Sequence, residues 1–516
     1  MRMNYKLALY PLILLLSFAF MGCKESPINT VESPEKIKIE SELVKEQGRY
    51  PFDYEYFSQI SQVVNGNNDG DLLAFMHNNQ HPDSEPYPAL YGINLSSDYA
   101  VKMVEPESGF DIAAADLSAE WLIWIEKNRK TWKLYAMERK NHSKQIIDQG
   151  LYTRATGPDF PGISLHKSRL VYNKSSDDGS KKPMRSEIVF YDLSKKQTKN
   201  IASINADNKF LGTPDISSDF IVWHRGEWTA AMTAEVYCHD LSTGQTEVLS
   251  PAEQNAITPQ IWDRYIVWAS YSSDRPECKN ICVYDRGEKE TVFATRLNPS
   301  ETLEYYNPQI AYGIVTWNNN LKQKPHVFGV NGELRQFDIE AEQIKICGSY
   351  MVWKNAASAS GACLTSLFTW IRQGDMGSQY SREFITAPPF SLESAGNKTL
   401  LASLSPPEIV ALNKEAWKQE RWDLVLELMA EDTGIVPKAE YVQSIKESAR
   451  EGKLDKTVAY KVSLDYIVDR DKAYVGFINR EYIMPGSSEV KQEIFSFKLH
   501  LTRQDGYWHV DQLAGQ

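Results

Sequence analysis

The chain reads as a multidomain, mainly β protein: a β-propeller followed by a smaller α+β domain. Two observations carry this reading. Short apolar strands ending in an aromatic residue recur as far as about residue 400, and a period in the forties with three or four strands per unit is the pattern of propeller blades. At Ser405 the pattern changes to helical spacing, and alternating strands follow it.

The recurring strands carry Phe75, Trp124, Tyr172, Trp223, Trp268, Trp317 and Trp353, at separations of 49, 48, 51, 45, 49 and 36 residues. A second strand follows most of them and runs into a polar turn, as in Tyr191-Asp192-Leu193-Ser194, Asp240-Leu241-Ser242-Thr243-Gly244 and Tyr284-Asp285-Arg286-Gly287. Several are preceded by a third feature: Thr213-Pro214-Asp215-Ile216, Thr258-Pro259-Gln260-Ile261 and Asn307-Pro308-Gln309-Ile310. A single small sheet cannot bury both of its faces, whereas sheets arranged radially pack each face on a neighbour. The aromatic residues then belong between blades. The count is seven blades, within a range of six to eight, and Lys398 to Ala402 is expected as a closing half-repeat. The Tyr-Asp-Leu-Ser turns and the Pro-X-Ile segments resemble the TolB-like propeller repeat over residues 51–404.

Ser405-Pro406-Pro407-Glu408 combines an N-cap serine, proline at the first helical position and glutamate at the third, a capping box. Helical spacing continues through Ile409, Leu412, Ala416, Trp417, Leu424, Val425 and Leu428. A second helix is predicted from Lys438 to Glu451, stopping at Gly452. Alternation at Val458, Tyr460, Val462, Leu464, Tyr466 and Val468 predicts one strand, with a turn at Asp469 to Lys472. Phe495, Phe497, Leu499 and Leu501 predict another, and Asp505-Gly506 a tight hairpin. The order, with its Gly-Tyr-Trp-His-Val-Asp ending, resembles the NTF2-like family over residues 405–516. That resemblance implies a cone whose sheet wraps a pocket.

The first residues set the expected compartment. Arg2 and Lys6 precede an apolar run, Leu7 to Phe20, which is too short for a membrane span. Phe20-Met21-Gly22-Cys23 resembles the lipobox of bacterial lipoproteins. It implies a signal peptide at 1–22, removed by cleavage, and acyl chains on Cys23. The expected setting is therefore the extracytoplasmic side of a membrane, held through the N-terminal lipid. Residues 23–50 are polar and are expected to form a tether. Net charge is −12, which argues against nucleic acid as a partner. Beyond Cys23 there are Cys238, Cys278, Cys282, Cys347 and Cys363. An odd number leaves at least one thiol if all bonds are intramolecular, and 278 with 282 or 347 with 363 are the candidate disulfides.

Chemistry-bearing patterns are sparse. Asn65, Asn67, Asp69 and Asp71 place side-chain oxygens at alternate positions around Gly70, a weak calcium candidate. The bidentate glutamate that closes such a loop is replaced by Met76. A polar hairpin needs the same residue types. His77 and His81 lie four apart in a predicted loop without a third ligand. There is no Gly-X-Ser-X-Gly elbow, and no catalytic set is assigned. His509 and Asp511 share one face of the last strand, which is either solvated or the lining of the cone. The expected function is a non-catalytic binding or scaffold module for a protein or cell-envelope ligand. The alternatives are an enzyme acting on envelope polysaccharide or peptide with carboxylates in the propeller funnel, and small-ligand binding in the cone.

Overall fold

In the computed structural model the aromatic anchors all fall on the second strand of a sheet. The residues described are 36–46, 52–76, 89–97, 99–151, 160–176, 185–206, 208–227, 233–251, 254–272, 275–295, 304–320, 326–330, 334–336, 341–355, 361–367, 384–431, 437–464 and 466–511. Leu7 to Phe20, Cys23, His77 and His81 lie outside them. Seven antiparallel sheets of four or five strands follow one another along the chain, and a sheet of six strands ends it. The fold is mainly β, and the seven sheets form a propeller-like ring. None of the described helices is long and apolar enough to cross a membrane.

The ring is closed by contact between innermost strands. Ile60–Gly66, Asp111–Leu117, Ile163–His166, Asp215–Ser217, Asn255–Trp262, Tyr305–Ala311 and Ala341–Cys347 each touch the next, and the last touches the first. Each gap between sheets is filled by its own apolar cluster. Trp124 packs between sheets one and two, Trp223 between three and four, Trp268 between four and five, and Trp317 between five and six. Trp353 lies between six and seven, and Tyr350, Val352 and Leu364 of the seventh sheet meet Ile60, Leu72 and Tyr91 of the first. The five tryptophans are at most 2% exposed, so the hydrophobic effect acts on both faces of every sheet.

The motifs between anchors have local causes. Pro259 and Pro308 sit in bulges, with shifts in register at Ile257/Gln260 and Tyr306/Gln309 and left-handed backbone at Thr258 and Asn307. A bulge tolerates proline because a ladder bond is missing there anyway. The aspartates of the polar turns cap their own turns: Asp240 accepts from Ser242 N at 2.8 Å, and Asp285 from Gly287 N at 2.8 Å.

The seventh sheet draws strands from both ends of the chain. Phe52–Phe57 pairs with Ala362–Ser366, and Glu42–Glu46 pairs with Phe52–Phe57. Lys36–Lys38 pairs with Tyr99–Val104 at the rim of the first sheet. Part of the stretch expected as a tether is therefore built into the ring. Strands of three and five residues are too short to show a period in sequence, and pairing at existing sheet edges creates them. Lys398–Ala402 closes nothing. It is helix α1, with Asn397 accepting from Thr399 N and Leu400 N, and the closing role falls to Phe52–Phe57.

The C-terminal unit begins before Ser405, because Phe384–Ile385 already pairs with Lys456–Ser463 of the last sheet. Helices α2 (Pro406–Lys418), α3 (Trp422–Glu427) and α4 (Lys438–Arg450) pack on that sheet. The expected capping box is present, with Ser405 N donating to Glu408 Oε2 at 2.8 Å. The helical spacing from Ile409 to Leu428 is split at Glu420, whose φ is +55°. The single strand expected through Val468 is also split, into Lys456–Ser463 and Tyr466–Asp469, which pair with opposite ends of Lys472–Ile483. In the hairpin formed by Tyr466–Asp469 and Lys472–Ile483 the turn residue Arg470 has φ +58°, and this hairpin reaches into the ring.

Candidate central channel and its cap

The residue X of each Pro-X-Ile segment, and its counterpart in the other innermost strands, lines the axis of the ring. These residues are Asn65, Asp116, Ser164, Asp215, Gln260, Gln309 and Lys345. Their side chains bond from sheet to sheet. Asn65 Nδ2 donates to Asp116 Oδ1 at 2.7 Å, and Leu165 N donates to Asp116 Oδ2 at 2.8 Å. Ser164 Oγ donates to Asp215 Oδ1 at 2.6 Å, and Ile261 N donates to Asp215 Oδ2 at 2.8 Å. Ile346 N donates to Gln309 Oε1 at 2.5 Å, and Lys345 Nζ donates to Val64 O at 3.1 Å across the closing gap. The first strands of a propeller leave backbone N–H groups facing the axis, and buried donors must find acceptors. The belt supplies them.

Inside the belt lies a cavity of about 390 Å³, bordered by Asp116, Ser164, Asp215, Gln260, Gln309 and, from the C-terminal unit, Tyr466. Burial pushes the Asp116 carboxyl up to about 7, with the Asp215 charge adding to the rise and two backbone N–H donors opposing it. Burial raises Asp215 as well. Two buried carboxyls of raised pKa are a pattern found at acid–base sites. Here, however, both oxygens of each already accept hydrogen bonds that join neighbouring sheets. Their chemistry is that of fixed acceptors.

Tyr466 borders the cavity at the end carrying the turns between first and second strands. Tyr312 OH donates to Tyr466 O at 3.2 Å, and Val468 N donates to Asn68 O at 2.9 Å. Tyr466 OH donates to Asp69 Oδ1. Beside the cap a wider cleft of about 820 Å³ separates the turns of the first two sheets from Arg470, Arg503 and Trp508. Asp71 anchors its floor, accepting from Arg139 Nη2 at 2.5 Å and from Asn94 Nδ2 at 2.8 Å.

The calcium candidates all lie in or beside the loop that the cap covers. Asn67 Oδ1 accepts from Asp69 N and Asp71 N, both at 3.0 Å, while Asn65 faces Asp116 and Asp69 faces Tyr466. A calcium ion would have to break these bonds. Among the described residues no three His, Cys, Asp or Glu side chains cluster as a metal site. His509 is 4% exposed, its ring 4.2 Å from that of Tyr507, and Asp511 is half-buried and accepts from Thr502 Oγ1 at 3.1 Å. His509 therefore does not sit on a solvated face. The core beneath the last sheet is filled by side chains of α2, α3, α4 and the sheet itself.

Cys238, Cys282, Cys347 and Cys363 are buried thiols, none of them in a disulfide. Neither candidate pair forms: Cys282, Cys347 and Cys363 are each turned into an inter-sheet core. Burial pushes the Cys238 thiol up to about 12 and the Cys347 thiol up to about 11.

Sequence reasoning missed Asp116, Ser164 and Lys345. The signal that would have found them is the position itself, one residue before Leu117, Leu165 and Ile346, matching X before Ile216, Ile261 and Ile310.

No family model matches this chain, and no curated protein matches it. Among solved structures it is similar to an oligogalacturonate lyase in complex with manganese, at 11% identity and a TM-score of 0.47, covering 66% of this chain and 100% of that one. It is similar to the beta-propeller domain of the Trilobed protease from Pyrococcus furiosus, described as having an open velcro topology, at 12% identity and a TM-score of 0.42, covering 62% and 98%. A TolB-assigned protein from Agrobacterium tumefaciens is similar at 13% identity and a TM-score of 0.32, covering 50% and 89%. These neighbours speak to fold alone.

Two predictions follow from the buried polar groups. Asp116→Asn turns one acceptor into a donor facing donors, so stability should fall by about 1–3 kcal/mol in urea titration. His224 is 7% exposed, its Nδ1 has no partner among the described residues, and burial pushes its imidazole down to about 4. Below the ordinary value of 6.5 only the unfolded chain takes up that proton, so stability is lost as pH falls from 6.5 toward 4. Between pH 7 and pH 5 the loss should be about 2 kcal/mol from this group, and His224→Asn should remove that share.

Proposed function

We propose that the protein is an exported, lipid-anchored, non-catalytic binding body, built as a seven-bladed propeller with an NTF2-like domain fixed to one face. Its ligand is an envelope protein or polymer that docks on the opposite face. The observation that supports this reading is the unequal length of the connections at the two ends of the ring. On the capped face the turns between first and second strands run from two to four residues. At the opposite end the strands ending at Met76, Leu151, Ser176 and Ala294 are followed by 13, 11, 8 and 10 residues before the next strand begins, and those ending at Lys127 and Ser272 by three and two. Long connections on a rigid scaffold are where recognition residues concentrate. The belt supports the non-catalytic half of the proposal, because the axial carboxyls are committed to neighbouring sheets.

Attachment is proposed through Cys23. Lys36–Lys38 is paired at the rim of the first sheet, and twelve residues separate Cys23 from it in sequence.

The test uses the full chain. Replacing 77–88 by a two-residue hairpin turn should leave the unfolding free energy from urea titration within about 0.5 kcal/mol of wild type and abolish capture of partners from envelope extract. Capture that persists at full yield would remove the proposed face. A Cys23→Ala variant should leave the membrane fraction with its fold intact; a variant still sedimenting with membranes would remove the lipid anchor.

A further inference from the structure

The seam of the ring is the junction where a strand from far along the chain completes a sheet. In the first six sheets the third and fourth strands are neighbours in sequence, and their pairings run from three to eight residue pairs. The seventh sheet is completed by a strand from the other end of the chain, and that pairing is three residue pairs long: Glu55 with Leu364, Tyr56 with Cys363, Phe57 with Ala362. Closing it fixes a loop of some three hundred residues, an entropy cost that all contacts across the junction must offset.

The C-terminal hairpin grips the ring at this junction and bridges both sides. Toward the first sheet, Val468 N donates to Asn68 O at 2.9 Å, Arg470 Nη1 donates to Leu95 O at 2.8 Å, and Tyr466 pairs with Asp69. Toward the seventh, Arg470 pairs with Glu55 of the closing strand, and Tyr350 OH donates to Asp469 Oδ1 at 3.4 Å. Ile467 is fully buried and Tyr474 is 7% exposed, both in the cluster that holds Tyr54, Trp353 and Cys363. The two sides also meet directly: at Gly348, with φ +56°, a Cβ would lie 2.1 Å from Asn67 O.

We propose that the C-terminal unit is a clasp: its hairpin Tyr466–Asp469/Lys472 holds the ring shut at the seam, and loosening it opens the ring there while the other sheets stay packed. This role is independent of any ligand. An inserted hairpin adds non-local contacts at the junction where a strand from far along the chain completes the seventh sheet through three residue pairs, so the hairpin adds to the seam's local opening free energy.

The buried thiols report on this directly. Cys363 lies at the seam, whereas Cys238 and Cys282 lie in the fourth and fifth sheets. Native full-length protein is labelled with a maleimide, and the rate at each cysteine is read by peptide mass spectrometry. Ile467→Ala and Arg470→Ala should each speed labelling of Cys363 by about 10-fold or more, with Cys238 and Cys282 within about twofold of wild type. Tyr466→Phe, which keeps the ring and loses only the bond to Asp69, serves if the first variants do not fold, and should show the same selectivity to a smaller degree. Tyr507→Phe removes a bond to Glu427 inside the C-terminal unit and should leave Cys363 unchanged. Equal acceleration at all three cysteines, no acceleration at Cys363, or the same effect from Tyr507→Phe would overturn the clasp.

Discussion

The structure depends on one constraint: seven small sheets must each present a satisfied edge to a common axis. Apolar packing alone does not meet it. The clusters between sheets bury Trp124, Trp223, Trp268, Trp317 and Trp353, but such burial is non-directional and fixes neither register nor the number of sheets. The belt around the axis does. An acceptor at position X of one sheet meets the backbone N–H after position X of the next, as Asp116 meets Leu165, Asp215 meets Ile261 and Gln309 meets Ile346. Each bond sets the height and angle of a neighbour. An Asp or Gln side-chain oxygen in that role satisfies a buried backbone N–H of the next sheet.

The belt also decides what the axis can do. Asp116 and Asp215 have the burial and raised pKa expected of catalytic acids, yet their oxygens are spent on holding sheets together. With Tyr466 bordering the same cavity, the end carrying the short turns is occupied by the protein itself. The two faces of the ring are thereby made unequal, one given to internal packing and the other to long connections.

Much of this was legible in the chain. The spacing of aromatic strands gave the sheets, since a buried second strand must be apolar in every unit, and Ser405 to Glu408 announced its helix through capping chemistry. What was hidden shares one physical cause, dependence on partners distant in sequence. Lys36–Lys38 and Glu42–Glu46 are strands only because the rims of the first and seventh sheets stand beside them. Lys398–Ala402 is apolar enough for a strand, but Asn397 caps it and Leu401 finds a helical core. Asp69 pairs with Tyr466, 397 residues away, a contact that no local pattern announces. His509 alternated correctly for an exposed face, yet its strand is covered on both sides. Proline marks the belt at three positions, whereas Asp116, Ser164 and Lys345 carry only the fainter signal of standing one residue before Leu117, Leu165 and Ile346.

The claim that the belt closes the ring is tested most directly by native-state hydrogen exchange of three amides in the full-length protein: Leu165, Ile261 and Ile346. If these N–H groups are held by side chains of the preceding sheet, they should exchange only through global unfolding, at the rate of the slowest core amides. Exchange as fast as that of an open turn such as Gly109 or Gly244 would contradict the account, because those donors would then be facing water in an axis the belt does not seal.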